Sequence, residues 1–273
     1  MSKVRYEKNG AVAVLTLNRP AKLNAIDSDM LNLLSASLDL AAVDDEVRVL
    51  ILRGEGRAFS AGFELGVGKP VNGETNEQFL QRELKKDFDA IMRFWDFPKP
   101  IIAAVHGYCL GGAMEISAIC DITIAAQECR FGAPEVRFGS GIVCMILPWI
   151  VGQKNARELL LVGSDKIDAQ RAAAIGLVNR VVPAAELMHE VLRMADEIAL
   201  NDPVAVRLTK KAINLSAEVA GLRQALDDAL KIDVEIESTQ TRESMEFNRI
   251  MEAEGPKAAL KWRAAQLPNR PGE

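Results

Sequence analysis

Two glutamates stand in surroundings that disfavour a charged carboxylate. Glu115 lies in Gly111-Gly112-Ala113-Met114-Glu115-Ile116, among apolar and small residues, and Glu135 follows Pro134 in Phe131-Gly132-Ala133-Pro134-Glu135-Val136. A carboxyl group withdrawn from water without a cationic partner has its pKa raised, and it can then act as a general acid or base near neutral pH. Taken alone, each glutamate could equally face solvent or an arginine such as Arg137. Glycines supply the other half of a site. Gly111-Gly112, ahead of a helical run, expose backbone N–H groups at its positive end, a natural place for a developing oxyanion. Gly62 can bring the N–H of Phe63 close to a ligand, although glycines also serve simply to permit tight turns.

Other chemistries lack their residues. Cys109, Cys120, Cys129 and Cys144 sit in or beside apolar runs without CxxC spacing, which predicts buried free thiols in a reducing compartment. His106 and His189 are the only histidines, and neither has a cysteine or second histidine at ligand spacing, so no metal site is expected. GxSxG is absent, which removes a hydrolase nucleophile elbow. Gly68-Lys69 is followed by Pro70 where a phosphate loop needs Ser or Thr, and the glycines at 66, 68 and 73 do not spell GxGxxG. A net charge of −5 speaks against nucleic acid as the main ligand. The opening MSKVRYEKNG has no apolar signal region, and the longest apolar stretch, Ile142 to Val151, is interrupted by Pro148 and too short for a membrane span. A soluble, cytoplasmic protein is expected.

Periodicity gives the elements that must hold these residues. Strands are predicted at Ala11–Leu17, Val47–Leu52, Ile101–Val105, Asp121–Ala126 and Val178–Val182. The wholly apolar Ile101–Val105 reads as a strand buried on both faces. Helices are predicted after Asp27 or Ser28, from Asn76 to Trp95, from Ala113 to Ile119, and from Ala169 to Ile175 with Asp168 as cap and Gly176 as stop. Between them, Gly62 to Gly73 reads as a loop. From Ala184 onward every segment is helical, with Asp202-Pro203 opening a helix and others over roughly 221–235, 240–254 and 256–266. Trp149 and the Met145-Ile146-Leu147 run read as core, and His106 as a hydrogen-bonded structural residue.

Several strings in register resemble the crotonase (enoyl-CoA hydratase/isomerase) family: Ala58-Phe59-Ser60-Ala61-Gly62-Phe63-Glu64-Leu65, then Lys99 to Tyr108 with Leu110-Gly111-Gly112-Ala113-Met114-Glu115, then Phe131 to Glu135. Asn18-Arg19-Pro20, Leu23-Asn24-Ala25 and Ala174-Ile175-Gly176-Leu177-Val178 extend the likeness over essentially the whole chain. The resemblance implies an α/β fold, a crotonase-type ββα spiral with an all-helical C-terminal region. It divides the chain into 1–200, for acyl-CoA binding and catalysis, and 201–273, for trimerisation. It implies an acyl-CoA thioester substrate, no cofactor beyond the coenzyme A of that substrate, and a homo-oligomer, trimer or dimer of trimers, in fatty acid metabolism. Phe63 and Gly112 would supply oxyanion-hole N–H groups. Glutamates at both Glu115 and Glu135 match the hydratase pattern, in which Glu115 takes a proton from water and Glu135 delivers one to the α-carbon. Substrate-lining positions carried over are Lys22, Leu23, Ala61, Gly62, Leu65, Gly111, Pro134 and Val143.

The chain departs from that pattern at several places. Val143 stands where a glycine near the catalytic water is common, Ala113 and Met114 replace more usual residues, and Phe63 is larger than the common alanine. A lysine that often contacts coenzyme A is Gly66 here, leaving Lys22 or Lys69 to meet phosphate. These differences keep isomerisation or another enolate chemistry open as a second expectation. A non-catalytic, RNA-binding role is a third, disfavoured by the acidic balance.

Overall fold

The computed structural model describes residues 2–266 apart from Val67 and Asn72. Strands β1 (Val4–Asn9) and β2 (Val12–Leu17) are followed by α1 (Ser28–Val43), β3 (Val49–Gly54) and α2 (Asn76–Asp96). Then come β4 (Ile101–Val105), β5 (Tyr108–Leu110), α3 (Gly112–Ile119), β6 (Ile122–Ala126), β7 (Arg130–Gly132) and a 3-10 turn over Glu135–Phe138. The chain continues through α4 (Leu147–Ile150), α5 (Gly152–Val162), β8 (Ile167–Asp168), α6 (Ala169–Ala174) and β9 (Arg180–Val182). Helices α7 (Leu187–Ala199), α8 (Pro203–Val219), α9 (Leu222–Ser238), α10 (Arg242–Glu254) and α11 (Pro256–Ala265) complete it.

Six strands form one sheet in the order β1-β2-β3-β4-β6-β9, parallel except for the β1–β2 hairpin, and β5-β7-β8 form a second sheet. Two single bridges extend the second layer, Ser60 beside Cys109 of β5 and Ile26 beside Phe63. The chain therefore repeats one move. It passes through the large sheet, touches the second layer, and returns by a helix: β3–Ser60–α2, then β4–β5–α3. This is the ββα spiral, and each pass leaves one loop of the second layer beside the next.

Burial explains the strand composition. Val49, Ile51, Ile102, Ala104 and Ile124 point to one face and meet Leu187, Val191 and Met194 of α7. Leu50, Leu52, Ala103 and Val105 point to the other and join side chains of α1, α2 and α3. With helices on both faces, β4 has no solvent side, so all five of its residues are apolar and buried. Helix α9 adds Leu222, Leu226, Leu230 and Val234 to the same core.

Caps follow expectation. The Asp27 side chain accepts the Met30 N–H at 3.0 Å, and Thr75 opens α2 with a capping box completed by Gln78. Strand β3 begins at Val49 and not Val47, because the Val47 N–H is spent on the Asp44 carbonyl in a turn. Trp149, expected in the core, is 38% exposed at the end of α4. Strand β1 was not anticipated, since its outer residues are polar and only Val4 is fully buried.

Candidate active site

The loop from Ala58 to Phe63 is held by one buried side chain. Asn24, in a left-handed turn with Leu23, donates from Nδ2 to the carbonyls of Glu55 (2.9 Å), Ala58 (2.8 Å) and Phe59 (3.1 Å), and its Oδ1 accepts the Arg19 N–H at 2.7 Å. Ser60 Oγ donates to the Asn24 carbonyl at 2.8 Å and accepts the Gly62 N–H at 3.1 Å. Ile26 N–H donates to the Gly62 carbonyl and Glu64 N–H to the Ile26 carbonyl. Because strand peptides alternate direction, the Phe63 N–H between them points away from Ile26, and no acceptor meets it among the described residues. Asn24 had no role assigned from sequence. Its signal was the Leu23-Asn24-Ala25 string, and a fully buried asparagine needs such a set of partners.

Gly111 and Gly112 face this loop. The Gly111 N–H is used in the second sheet, donating to the Gly132 carbonyl at 2.8 Å. Gly112 begins α3, and its N–H is one of the helix's orphan donors, again with no acceptor among the described residues. The two glycine segments are in close contact. A Cβ on Gly62 would stand 2.7 Å from the Leu110 carbonyl oxygen and 3.4 Å from the Gly112 nitrogen. The Phe63 ring lies over Gly112, where a Cβ would meet it at 2.3 Å. Only glycine at these positions permits both approaches.

Glu115, on the first turns of α3, is 2% exposed, and its Oε2 accepts the Cys144 N–H at 2.7 Å. Burial, then the Glu135 charge, pushes its pKa well above the carboxylate range, the Cys144 bond acting the other way, with Asp233 and Asp87 adding to the rise. Glu135 begins the 3-10 turn beside Gly111, whose missing Cβ would stand 2.3 Å from Oε1. Its Oε2 is buried without a partner among the described residues, and burial, helped by the charges of Asp233 and Glu237, raises its pKa to about 7. Arg137 does not neutralise it but pairs with Asp165 at 3.2 Å. Burial thus favours the protonated form of both acids, and Glu135 can exchange its proton near neutrality, beside two N–H groups that meet no acceptor among the described residues.

Two surface grooves of about 340 and 380 Å³ lie along α2, and neither is lined by Phe63, Gly112, Glu115 or Glu135. Groove size does not locate this site; the raised acids and unspent amides do. Among the described residues, no three His, Cys, Asp or Glu side chains are grouped to hold a metal ion.

A family model described as "Enoyl-CoA hydratase/isomerase" matches residues 7–257. The chain belongs to the enoyl-CoA hydratase/isomerase family. It is 38% identical to a short-chain-enoyl-CoA hydratase of Clostridium acetobutylicum over 86% of this chain and 88% of that one. It is 35% identical to a crotonyl-CoA hydratase of Syntrophomonas wolfei, over 84% and 86%. A solved enoyl-CoA hydratase/isomerase from Xanthobacter autotrophicus Py2 superposes with a TM-score of 0.92 at 45% identity, covering 98% of this chain and 99% of that chain.

In this family member the expected site residues divide into two groups. Ala61, Gly62, Phe63, Gly111, Gly112, Glu115, Pro134, Glu135 and Val143 fall on the segments just described, and Val143 is buried immediately before Cys144. Leu23 lies behind them, its carbonyl accepting the Ala61 N–H at 2.9 Å. Leu65 is exposed, and Lys22 is engaged with Glu64, which Arg19 also holds at 2.8 Å. Lys22 remains largely exposed at the edge of this loop. Sequence reasoning also missed Asp233 and Glu237, one helical turn apart on α9, whose charges act on Glu135.

Proposed function

We infer that this enzyme adds water across the 2,3 double bond of an enoyl-CoA thioester to give a 3-hydroxyacyl-CoA. The observation that carries this is the buried Glu115 and the half-buried Glu135, with its enclosed Oε2, set beside the N–H groups of Phe63 and Gly112, which meet no acceptor among the described residues. In this reaction the thioester oxygen gains negative charge as water attacks C3, and the two amides are donors aimed at such an oxygen. Glu115 takes the proton from water as the C3–O bond forms, and Glu135 gives its proton to C2. The working pair carries one proton between two carboxyl groups, the arrangement that two buried like charges favour. The Cys144 N–H supports the ionised form of Glu115, and a Glu135 pKa of about 7 supplies a proton near neutral pH. No cofactor is needed for these steps beyond the coenzyme A of the substrate.

A homo-oligomer, trimer or dimer of trimers, completes the proposal. Its support is the row of exposed apolar side chains on one face of α8, with Val204, Leu208, Leu215 and Val219 uncovered. A cytoplasmic location is supported by the four free cysteines, all buried. No described helix is long and apolar enough to cross a membrane.

The test is the loss of conjugated-thioester absorbance when a short 2-enoyl-CoA is supplied. Glu115→Gln and Glu135→Gln are each expected to lower kcat by roughly a hundredfold or more. A double glutamine variant with wild-type turnover would overturn the assignment.

A further inference from the structure

Residues 139–144 connect the two acids and belong to no helix or strand. At one end, the N–H groups of Gly139 and Ser140 both donate to the Glu135 carbonyl, the second at 3.1 Å. Ile142 and Val143 are buried, and at the other end the Cys144 N–H donates to Glu115 Oε2 at 2.7 Å. That is the one hydrogen bond the Glu115 carboxyl group receives among the described residues. Where this connector lies therefore sets how the two acids stand to each other, and its own backbone has no ladder to fix it.

The outer side of the connector rests on the C-terminal helices. Gly139 lies against Ser244 of α10, where a Cβ would meet the serine Cβ at 2.7 Å. Gly141 lies against Asp233 of α9, where a Cβ would stand 2.0 Å from Oδ1. One helical turn from Asp233, Glu237 accepts the Ser140 hydroxyl. Packing alone lets a segment slide, whereas a hydrogen bond to a carboxylate is directional and strong. A carboxylate is also an unfavourable group to place here. Burial raises the Glu237 pKa, opposed by its hydrogen bonds from Ser140 and Gly141, and its charge adds to the burial that raises Asp233 and Asp87. An apolar side chain would fill the place without that penalty, so the bond to Ser140 is what the carboxylate contributes.

Resting on the hydratase reading, we propose that Glu237 is a positioning residue for the acid pair: by accepting the Ser140 hydroxyl it fixes the connector, and with it the Cys144 N–H on Glu115 and the backbone of Glu135. Helix α9, from the C-terminal region expected to serve trimerisation, thereby completes the site that the spiral builds. The thioester oxygen is held by Phe63 and Gly112, whose segments the connector does not support. Loss of the Ser140–Glu237 bond therefore lowers kcat and leaves KM nearly unchanged, the signature of a group that acts on the chemical step.

The experiment measures kcat and KM for a short 2-enoyl-CoA, together with hydrogen exchange at the Cys144 amide by mass spectrometry. Ser140→Ala and Glu237→Leu are each expected to lower kcat by about tenfold or more, with KM within about twofold of wild type. Each should also speed exchange at Cys144 by about tenfold, as its bond to Glu115 loosens. Ser140→Thr keeps a donor and Glu237→Gln keeps an acceptor, so each recovers most of both losses. The double variant Ser140→Ala/Glu237→Leu should lose little more than either single one, because both break one bond. Wild-type kcat in Ser140→Ala or Glu237→Leu, a loss carried by KM, or additive losses in the double variant overturns the proposal. The exchange measurement separates it from the hydratase reading. Faster Cys144 exchange in the two disrupting variants, reversed in the conservative ones, supports the positioning role even if the wild type hydrates nothing. Unchanged exchange sinks that role even if hydration is fast.

Discussion

Gly111 joins backbone geometry to the position of Glu135, and replacing it with alanine puts both to a quantitative test. Its φ of 55° with ψ of −134° lies outside the regions open to an L-residue, a conformation that costs alanine about 2 kcal/mol. The added Cβ would also sit 2.3 Å from Glu135 Oε1, against the 3.4 Å where ordinary contact begins, so the carboxylate must recede by about 1 Å. A displacement of that size at a reacting group lowers the rate by roughly a hundredfold. Gly10→Ala is the control, because its φ of 57° is equally left-handed while no atom lies within 4 Å of the new Cβ. Urea unfolding should show comparable stability losses for both variants. Enoyl-CoA hydration should fall by about a hundredfold in kcat/KM for Gly111→Ala and stay near wild type for Gly10→Ala. In the double variant Gly111→Ala/Glu135→Gln, the loss should barely exceed that of Glu135→Gln alone, since both act on one group. Fully additive losses, or an active Gly111→Ala enzyme, would refute the placement of Glu135.

Two further outcomes follow from the buried acids. Burial raises both carboxyls, Glu135 to about 7, and the two titrate as a coupled pair that loses its first proton as pH rises through about 7, so kcat/KM should climb with pH up to that value. Hydration consumes no net proton, so kcat/KM for dehydration must share the same profile; a flat profile from pH 5 to 9 contradicts the paired acids. Asp233, pushed up to about 7 by burial and by Glu237, retains in the fold a proton that the unfolded chain releases from its ordinary value of 3.8 upward. Stability from this group is therefore fully present below pH 3.8 and lost as pH rises through 7, by at most about 4 kcal/mol. Asp233→Asn should gain stability relative to wild type between pH 4 and 8 in chemical unfolding, and a pH-independent difference would show that Asp233 ionises freely.

Legibility from sequence tracked how locally each feature is encoded. Ile101–Val105 announces a doubly covered strand in its own five residues, and the glycines at 62, 111 and 112 mark close approach because only they lack the atom that would clash. Glu115 and Glu135 stood out for the same reason, each a charge set in an apolar local string. By contrast β5, β7 and β8 have three residues or fewer, too short for a period of two to emerge, and their partners come from distant loops.

Asp233 is the instructive failure. In Leu222–Ser238 it lies three residues after Leu230 and seven after Leu226, on the buried stripe of the helix, whereas the exposed Asp228 and Glu235 fall on the other side. A glycine at 141 then lets the 139–144 segment lie against the carboxylate. The catalytic pair could be found by asking which residues are out of place in their own neighbourhood. Asp233 is found by asking the same question of a helical face and not of a run of neighbours, since it puts a carboxyl group where the period of 3.6 residues calls for an apolar side chain. What the helix alone does not contain is the 139–144 segment that seals the group from water.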